Sequence, residues 1–158
     1  EIAAEQAAPV IIYGAGHVGA ALARALLPLP FSVTLIDPRA ESLWPTPGLQ
    51  CQRLVIPETA AAAAPQDAAH LVMTHSHAVD LEIVAAALAR PARFVGLIGS
   101  ATKRATFSKR LRERGVDPER LVCPIGLPEI RSKQPEVIAA SVAAQLLALP
   151  PFAEGRVS

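Results

Sequence analysis

Aromatic residues are scarce in this chain: they make up 4% of its 158 residues, with a single tryptophan and a single tyrosine. The core must therefore consist of aliphatic side chains and alanine, and hydrophobic residues reach 51% of the chain. Such a mixture is typical of a buried parallel sheet that is covered by alanine-rich helices. The composition favours one α/β domain, since 158 residues suit a single core.

The chain also lacks an excess of charge of either sign, because its formal net charge is +1. We therefore expect neither nucleic acid nor a membrane surface as a partner. No apolar run approaches the ~20 residues of a membrane span, and the first residues lack the basic-then-apolar layout of a signal peptide. The cytoplasm is the expected compartment.

Cysteine is equally sparse. Cys51 and Cys123 are far apart, and the chain has neither a CxxC motif nor a metal-ligand spacing. We expect two separate thiols rather than a disulfide, which agrees with a cytoplasmic protein.

Hydrophobic periodicity and turn residues predict alternating strands and helices. The predicted strands are 10–13, 31–36, 53–56, 70–74, 93–98 and 121–123. The third of these strands follows a predicted loop at 40–52. The predicted helices are 17–27, 80–88, 101–114 and 135–149, and alanines 60–64 form either a short helix or a linker. This order predicts a doubly wound, Rossmann-like parallel sheet with strand order 3-2-1-4-5-6, in a single domain over 1–158.

The first candidate site is the glycine turn between the first strand and the first helix. Gly14 would allow the tight turn, Gly16 would let backbone approach a phosphate, and Gly19 would let the helix pack closely. Asp37 ends the second strand, where an acid normally binds ribose hydroxyls. His17 either donates a hydrogen bond to the ligand or is a partly exposed residue of the first helical turn. The turn predicts a nucleotide-type ligand, and the alternative is that its glycines serve packing alone.

The second candidate site follows the fourth strand, beside the glycine turn, and comprises Thr74, His75 and His77. Two histidines at i and i+2 on extended chain point the same way, so they could bind a polar ligand. The alternative is that this segment caps the next helix. We expect no metal site, because the spacing supplies no third ligand, although Asp80 and Cys123 could approach in space.

The third candidate site follows the fifth strand: Gly99, then Ser100 as a helix N-cap, then Lys103 and Arg104 in the first helical turn. Cations at this end of a helix oppose its dipole. A bound anion would make these cations stabilising instead of destabilising, so the segment predicts a second phosphate or oxyanion site. The alternative is a solvated basic helix. In the later loop, Lys133 could reach the same cleft, although a loop without such a role is the favoured interpretation.

The residues expected of a catalyst are missing. Hydride transfer needs a positioned acid or base beside the cofactor. Tyr13 is the only tyrosine and lies in the first strand, and no Ser-His-Asp or Cys-His arrangement is evident. The residues alone therefore favour a binding protein over an enzyme.

Five segments in this order are similar to the C-terminal Rossmann domain of the XdhC/CoxI family of xanthine dehydrogenase accessory proteins. They are VIIYGAGHVG, VTLIDPR, LVMTHSHAVDLEIVAAAL, FVGLIGSATKRATFSKRLRERG and CPIGLPEIRSKQPEVIAASVAAQLL. The resemblance implies a non-catalytic maturation factor that binds molybdenum cofactor. It also implies a cysteine desulfurase as the partner in cofactor sulfuration, and xanthine dehydrogenase as the recipient of the cofactor.

Two departures from the family accompany this resemblance. The N-terminal domain with a cysteine motif has no match here, and Glu129 and Ser132 stand where glycines are expected. Two other hypotheses stay open: an NAD(P)-dependent oxidoreductase without its substrate domain, and a nucleotide-sensing regulatory Rossmann module. A homodimer is a further possibility, through apolar sheet edges and the loop 44–48 with Trp44.

Overall fold

A computed structural model of the chain describes residues 7–38, 46–52 and 55–150. Its strands are β1 (Ala8–Tyr13), β2 (Phe31–Ile36), β3 (Leu49–Gln52), β4 (Ala69–Val72), β5 (Phe94–Leu97) and β6 (Leu121–Val122). Its helices are α1 (His17–Leu26), α2 (Pro57–Ala62), α3 (His77–Leu88), α4 (Ala101–Glu113) and α5 (Pro135–Leu147). Within the described residues, no helix combines the length and apolarity that a membrane crossing requires.

The strands form one parallel sheet in the order β3-β2-β1-β4-β5-β6, which confirms the predicted fold. Strand β1 pairs with β2 on one side and with β4 on the other, so the strand order reverses direction there. Ligands of open α/β sheets bind outside the carboxyl ends of the strands at such a reversal.

Each face of the sheet has its own hydrophobic core, because successive side chains of a strand point to opposite faces. Val10 and Ile12 of β1 pack under α1 and α5, whereas Ile11 and Tyr13 of the same strand pack under α2, α3 and α4. Helices on both faces hold the sheet in place, and this leaves the strand ends and their loops as the ligand-accessible edge.

One predicted strand is wrong. We predicted the third strand at 53–56, but β3 is Leu49–Gln52, inside the stretch predicted as loop. Residues 55 and 56 are not strand, and 53 and 54 lie outside the described residues. Strand β3 is an edge strand whose Gln50 and Gln52 are exposed, so it lacks the apolar pattern that the prediction relied on. In the predicted loop 44–48, Trp44 and residue 45 fall outside the described part of the chain.

Candidate functional site

The glycine turn lies against the loop that follows β4. Gly14 has φ +116°, and a Cβ there would lie 2.4 Å from the Met73 carbonyl oxygen. The Met73 N–H in turn donates to the Tyr13 carbonyl at 2.9 Å. Only glycine combines this φ with so close a backbone approach. Gly14 therefore joins the two loops at the reversal point of the sheet.

Gly19 brings α1 down onto the turn. A Cβ at this position would lie 1.9 Å from the Gly14 carbonyl oxygen and 3.7 Å from Cγ2 of Ile12. The close helix packing predicted for this glycine is therefore confirmed. Gly14 and Gly19 are both explained by contacts within the protein.

Gly16 differs from both of its neighbours in the motif. It is the N-cap of α1 with extended backbone, φ −70° and ψ −168°, and makes no side-chain cap hydrogen bond. Apart from its own chain neighbours, no heavy atom of the described residues lies within 4 Å of a Cβ built on it. The first turn of α1 has no acidic residue, and His17 at its start is exposed. The fold does not require glycine here, whereas the close approach of a ligand would.

Asp37, at the end of β2, is buried below the glycine turn. Its Oδ2 accepts a hydrogen bond from the Ala15 N–H at 2.7 Å. The side chain is only 4% exposed, so this carboxylate holds the turn in place from beneath. We predicted Asp37 as a ribose-binding acid. The structure shows in addition that one of its oxygens positions the turn itself.

The segment after β4 is built around helix capping. The Ser76 hydroxyl accepts the Val79 N–H at 3.2 Å, which confirms the capping alternative for this loop. His75 is exposed in the loop, and His77 is the first residue of α3. Our expectation that both histidines lie on extended chain is therefore wrong, because the cap starts the helix three residues before the predicted position. The His77 ring lies edge-on to Phe107, with 6.4 Å between centroids.

A buried acid that the sequence analysis did not assign organises the same edge. The Asp80 side chain is fully buried, and its Oδ1 accepts hydrogen bonds from the Thr74 N–H at 3.0 Å and the Thr74 hydroxyl at 2.7 Å. Its Oδ2 lies 3.3 Å from Lys103 Nζ, which also donates to the Ile98 carbonyl at 2.9 Å. Asp80 thus ties the loop after β4 to the helix that follows β5.

These contacts change the interpretation of the third candidate site. Ser100 is the N-cap of α4, as predicted, and accepts the Lys103 N–H at 3.2 Å. The Lys103 side chain folds back over the turn, since a Cβ on Gly99 would lie 2.5 Å from its Cδ. Its charge already has Asp80 as a partner, so Lys103 does not require an anion. Arg104 is exposed on the first turn of α4.

A sequence signal for this ion pair exists. Asp80 and Lys103 both lie in the first turns of helices that follow the adjacent strands β4 and β5. Helices in this arrangement begin side by side at one edge of the sheet, so the acid on one was the natural partner for the cation on the other.

A second buried polar pair lies in the sheet below the glycine turn. The Tyr13 hydroxyl and His70 Nδ1 are 2.8 Å apart, and both side chains are completely buried. His70 Nε2 has no hydrogen-bond partner among the described residues. Burial, assisted by the nearby positive charge of Arg90, lowers the pKa of His70 to about 4. Burial also raises the pKa of Tyr13. A lone tyrosine and a lone histidine in two strands give no sequence signal for this contact.

Both cysteines are free thiols, as predicted. Cys123 is buried at the end of β6, where its Sγ donates to the Ser100 carbonyl at 3.7 Å. Burial raises the pKa of Cys51 and that of Cys123, which disfavours the reactive thiolate. Among the described residues, no group of three or more histidine, cysteine or acidic side chains could hold a metal ion.

Residues 10–146 match the family model described as the XdhC Rossmann domain. The chain belongs to the XdhC family. The segments after β4, β5 and β6 that carried the resemblance fall within the matched range, except for the final residue, Leu147.

Relatives of the XdhC chain agree with this assignment. It is 32% identical over 146 residues to the uncharacterized protein YqeB of Escherichia coli, and 31% identical over 147 residues to a probable xanthine dehydrogenase subunit of Bacillus subtilis. Each alignment covers 87% of this chain, but only 26% and 42% of the respective relative.

A solved structure shows the same fold. The crystal structure of a xanthine dehydrogenase from Bacillus halodurans superposes with a TM-score of 0.77 at 26% identity, over 96% of this chain and 44% of the other. The XdhC chain therefore spans less than half the length of each of these three relatives.

Proposed function

We propose that this XdhC domain binds molybdenum cofactor as part of a non-catalytic accessory protein. In this proposal, the protein holds the cofactor during sulfuration by a cysteine desulfurase and helps to deliver it to xanthine dehydrogenase. Membership of the XdhC family supports the proposal, as does the name of the Bacillus subtilis relative, which describes it as part of a probable xanthine dehydrogenase. The cysteine desulfurase and xanthine dehydrogenase are proposed as partners and not inferred from this relative, because the chain spans less than half of its length.

The observation that carries the proposal is the open space at Gly16. Molybdenum cofactor is a pterin with a phosphate group, and a phosphate fits a helix N-terminus whose N–H groups have no side-chain cap. The N-cap position of α1 meets that description, and a Cβ at Gly16 would occupy the space that a phosphate needs. The partial positive charge of the helix end favours the anion.

Four further predicted residues belong to the two neighbouring segments. His17 and His77 are the first residues of α1 and α3, and Thr74 and His75 lie in the loop after β4, which contacts the glycine turn at Gly14. The exposed imidazoles of His75 and His77 could donate hydrogen bonds to the polar edge of a pterin. The cofactor supplies the molybdenum and its sulfur ligands, whereas the protein residues bind and orient it.

A dinucleotide-dependent oxidoreductase is the second candidate, and Asp37 is the observation that favours it. An acid at the end of β2 is where ribose hydroxyls bind in dinucleotide enzymes. Here one carboxylate oxygen already accepts the Ala15 N–H, and the side chain is buried. The same residue is therefore explained without a ribose, and we place this candidate second.

Pterin retention tests the proposal. The protein is purified from a bacterium that makes molybdenum cofactor, oxidised with acidic iodine, and assayed for the fluorescent pterin. We expect retention by the native protein and at least a tenfold loss in Gly16→Ala, with an unchanged circular dichroism spectrum. Ser100→Ala is the matched control at the other turn and should retain pterin. Tight NAD binding without pterin retention would contradict the proposal and would favour a nucleotide ligand at the turn instead.

A further inference from the structure

A cavity of about 850 Å³ lies at the carboxyl ends of β5 and β6, under the loop that leads into α5. Its volume falls within the range of about 300–1,000 Å³ that is usual for small-molecule sites. No residue of the glycine turn or of α1 belongs to its described lining. The cavity is therefore formed by other residues than the helix terminus at Gly16.

The walls of this cavity are mainly aliphatic. Its aliphatic lining residues, besides two prolines, come from the segment after β5, from β6 and the following loop, and from α5: Ile98, Val122, Ile125, Leu127, Ile130 and Ile138. Water in such a space would find few hydrogen-bond partners. A ligand with an apolar body would be bound more favourably than water, because each Å² of apolar surface that it buries contributes about 25 cal/mol.

Four of the lining residues are hydrogen-bonded to one another. The Gln145 side chain accepts the Gly126 N–H at 2.8 Å and donates to the Gly126 carbonyl at 3.2 Å. The Ser141 hydroxyl accepts the Leu127 N–H at 2.7 Å. These bonds fix the loop to α5 and keep the cavity preformed, so a ligand meets a rigid wall rather than a loop that must be ordered.

The charges on the lining all have one sign. Arg131 and Lys133 are exposed lining residues, and no aspartate or glutamate belongs to the described lining. Ile130 lies beside them and is 43% exposed, one of two large hydrophobic side chains exposed to this degree among the described residues. A ligand with an apolar body and an anionic group would cover Ile130 and neutralise the two cations.

We propose that this cavity binds a small organic anion with a flat or aliphatic apolar body, such as an aromatic carboxylate or sulfonate. The apolar body would lie against the aliphatic walls, and the anionic group would lie at the mouth between Arg131 and Lys133. This site does not depend on the proposed binding of molybdenum cofactor at the glycine turn, because it uses different residues.

The test uses the native chain and the fluorescent probe 8-anilinonaphthalene-1-sulfonate, which has an aromatic body and one sulfonate. We expect saturable one-to-one binding, and displacement by 2-naphthoate at concentrations at least tenfold lower than by its neutral analogue 2-naphthamide. Arg131→Gln/Lys133→Gln should weaken the naphthoate affinity at least fivefold and leave that of the amide unchanged. Ile130→Ala should weaken both.

Two matched controls lie outside the cavity. Lys109→Gln/Arg110→Gln removes two exposed cations of α4, and Ile56→Ala removes the other strongly exposed isoleucine. Neither should change the probe affinity by more than twofold. The proposal is overturned if the probe does not saturate, or if the control variants weaken it as much as the cavity variants. It is also overturned if Gly16→Ala abolishes probe binding, since the cavity and the turn would then be one site.

Discussion

Two strand-to-helix turns of this domain have similar sequences but different structures. The turn after β1 contains Gly16 and leads into α1, and the turn after β5 contains Gly99 and leads into α4. At Gly99, a Cβ would meet the aliphatic chain of Lys103, and Ser100 caps the helix. At Gly16, neither a side-chain cap nor a described neighbouring atom fills the space.

The difference shows that similar glycine turns can leave a helix terminus either filled by the protein's own groups or open. At α4, Ser100 satisfies one backbone N–H, and Asp80 neutralises the lysine of the first turn. At α1, no side chain caps the helix, and the first turn has no acidic residue. The experiments below test this comparison through the stability of each turn and through ligand binding.

The largest expected effect on stability is at Asp80, which supplies the charge partner of Lys103 in the turn after β5. Asp80→Asn removes the negative charge beside Lys103, whose ammonium group is largely buried. Loss of one partner of a buried ion pair costs about 3–5 kcal/mol, and we expect a loss of this size in the free energy of unfolding. Urea denaturation at neutral pH measures it.

Glu82→Gln is the matched control, because the Glu82–Arg114 pair also belongs to α3 and the end of α4 but is open to solvent. We expect no measurable change in stability from this variant, since exposed ion pairs contribute little. Equal effects at positions 80 and 82 would contradict the role given to burial.

Acid should act through His70, which lies in β4 below the turn after β1. Its pKa is lowered to about 4 in the folded protein, whereas an unfolded chain protonates near pH 6.5. Protonation therefore favours the unfolded state, and this contribution to stability is complete above about pH 6.5 and is lost as the pH falls towards 4. The loss amounts to about 3 kcal/mol at most.

Urea denaturation at several pH values measures this effect. In Tyr13→Phe/His70→Leu, which removes both buried polar groups, the stability should change less between pH 6.5 and 4 than in the native protein. His75→Gln changes an exposed histidine of the neighbouring loop and should keep the native pH dependence. An unchanged pH dependence in the double variant would show that His70 does not carry the effect.

A smaller effect is expected at the cap of α4. Ser100→Ala removes the hydroxyl that accepts the Lys103 N–H, and such N-cap losses cost about 1 kcal/mol. Gly16→Ala at the equivalent position of α1 should change the unfolding free energy by less than about 0.5 kcal/mol, because the new methyl group meets no described atom. Thermal and urea unfolding of the two variants, measured under the same conditions, compare their free energies of unfolding. A strongly destabilised Gly16→Ala would mean that the fold itself requires this glycine.

The fold could be predicted from the sequence because the central strands are buried on both faces. β1, β2, β4 and β5 carry continuous or alternating apolar residues, and their order follows from the right-handed crossovers of an α/β chain. The prediction misplaced the edge strand β3 because the position of this strand depends on its pairing with β2, for instance Val33 beside Leu49. Its own apolar content does not mark it as a strand.

The candidate site could be predicted only in part. The positions of Gly14, Gly16 and Gly19 follow from local spacing, so the turn was found. The partner of His70 is a tyrosine of another strand, which no local pattern reports. The Asp80–Lys103 pair could be inferred only by combining the strand order with the neighbouring starts of α3 and α4. Local spacing alone could not tell that Lys103 fills one turn while the space at Gly16 is open.

A titration followed by NMR tests most directly whether, of the helix N-termini of α1 and α4, only that of α1 is open to an anion. The ligand is the phosphorylated, oxidised pterin obtained from molybdenum cofactor, and the backbone amide signals of the ¹⁵N-labelled protein are followed. We predict saturable shifts at residues 16–19, at the start of α1, and none at residues 101–104, at the start of α4. Shifts confined to 101–104, or no saturable shift at 16–19, would contradict the account.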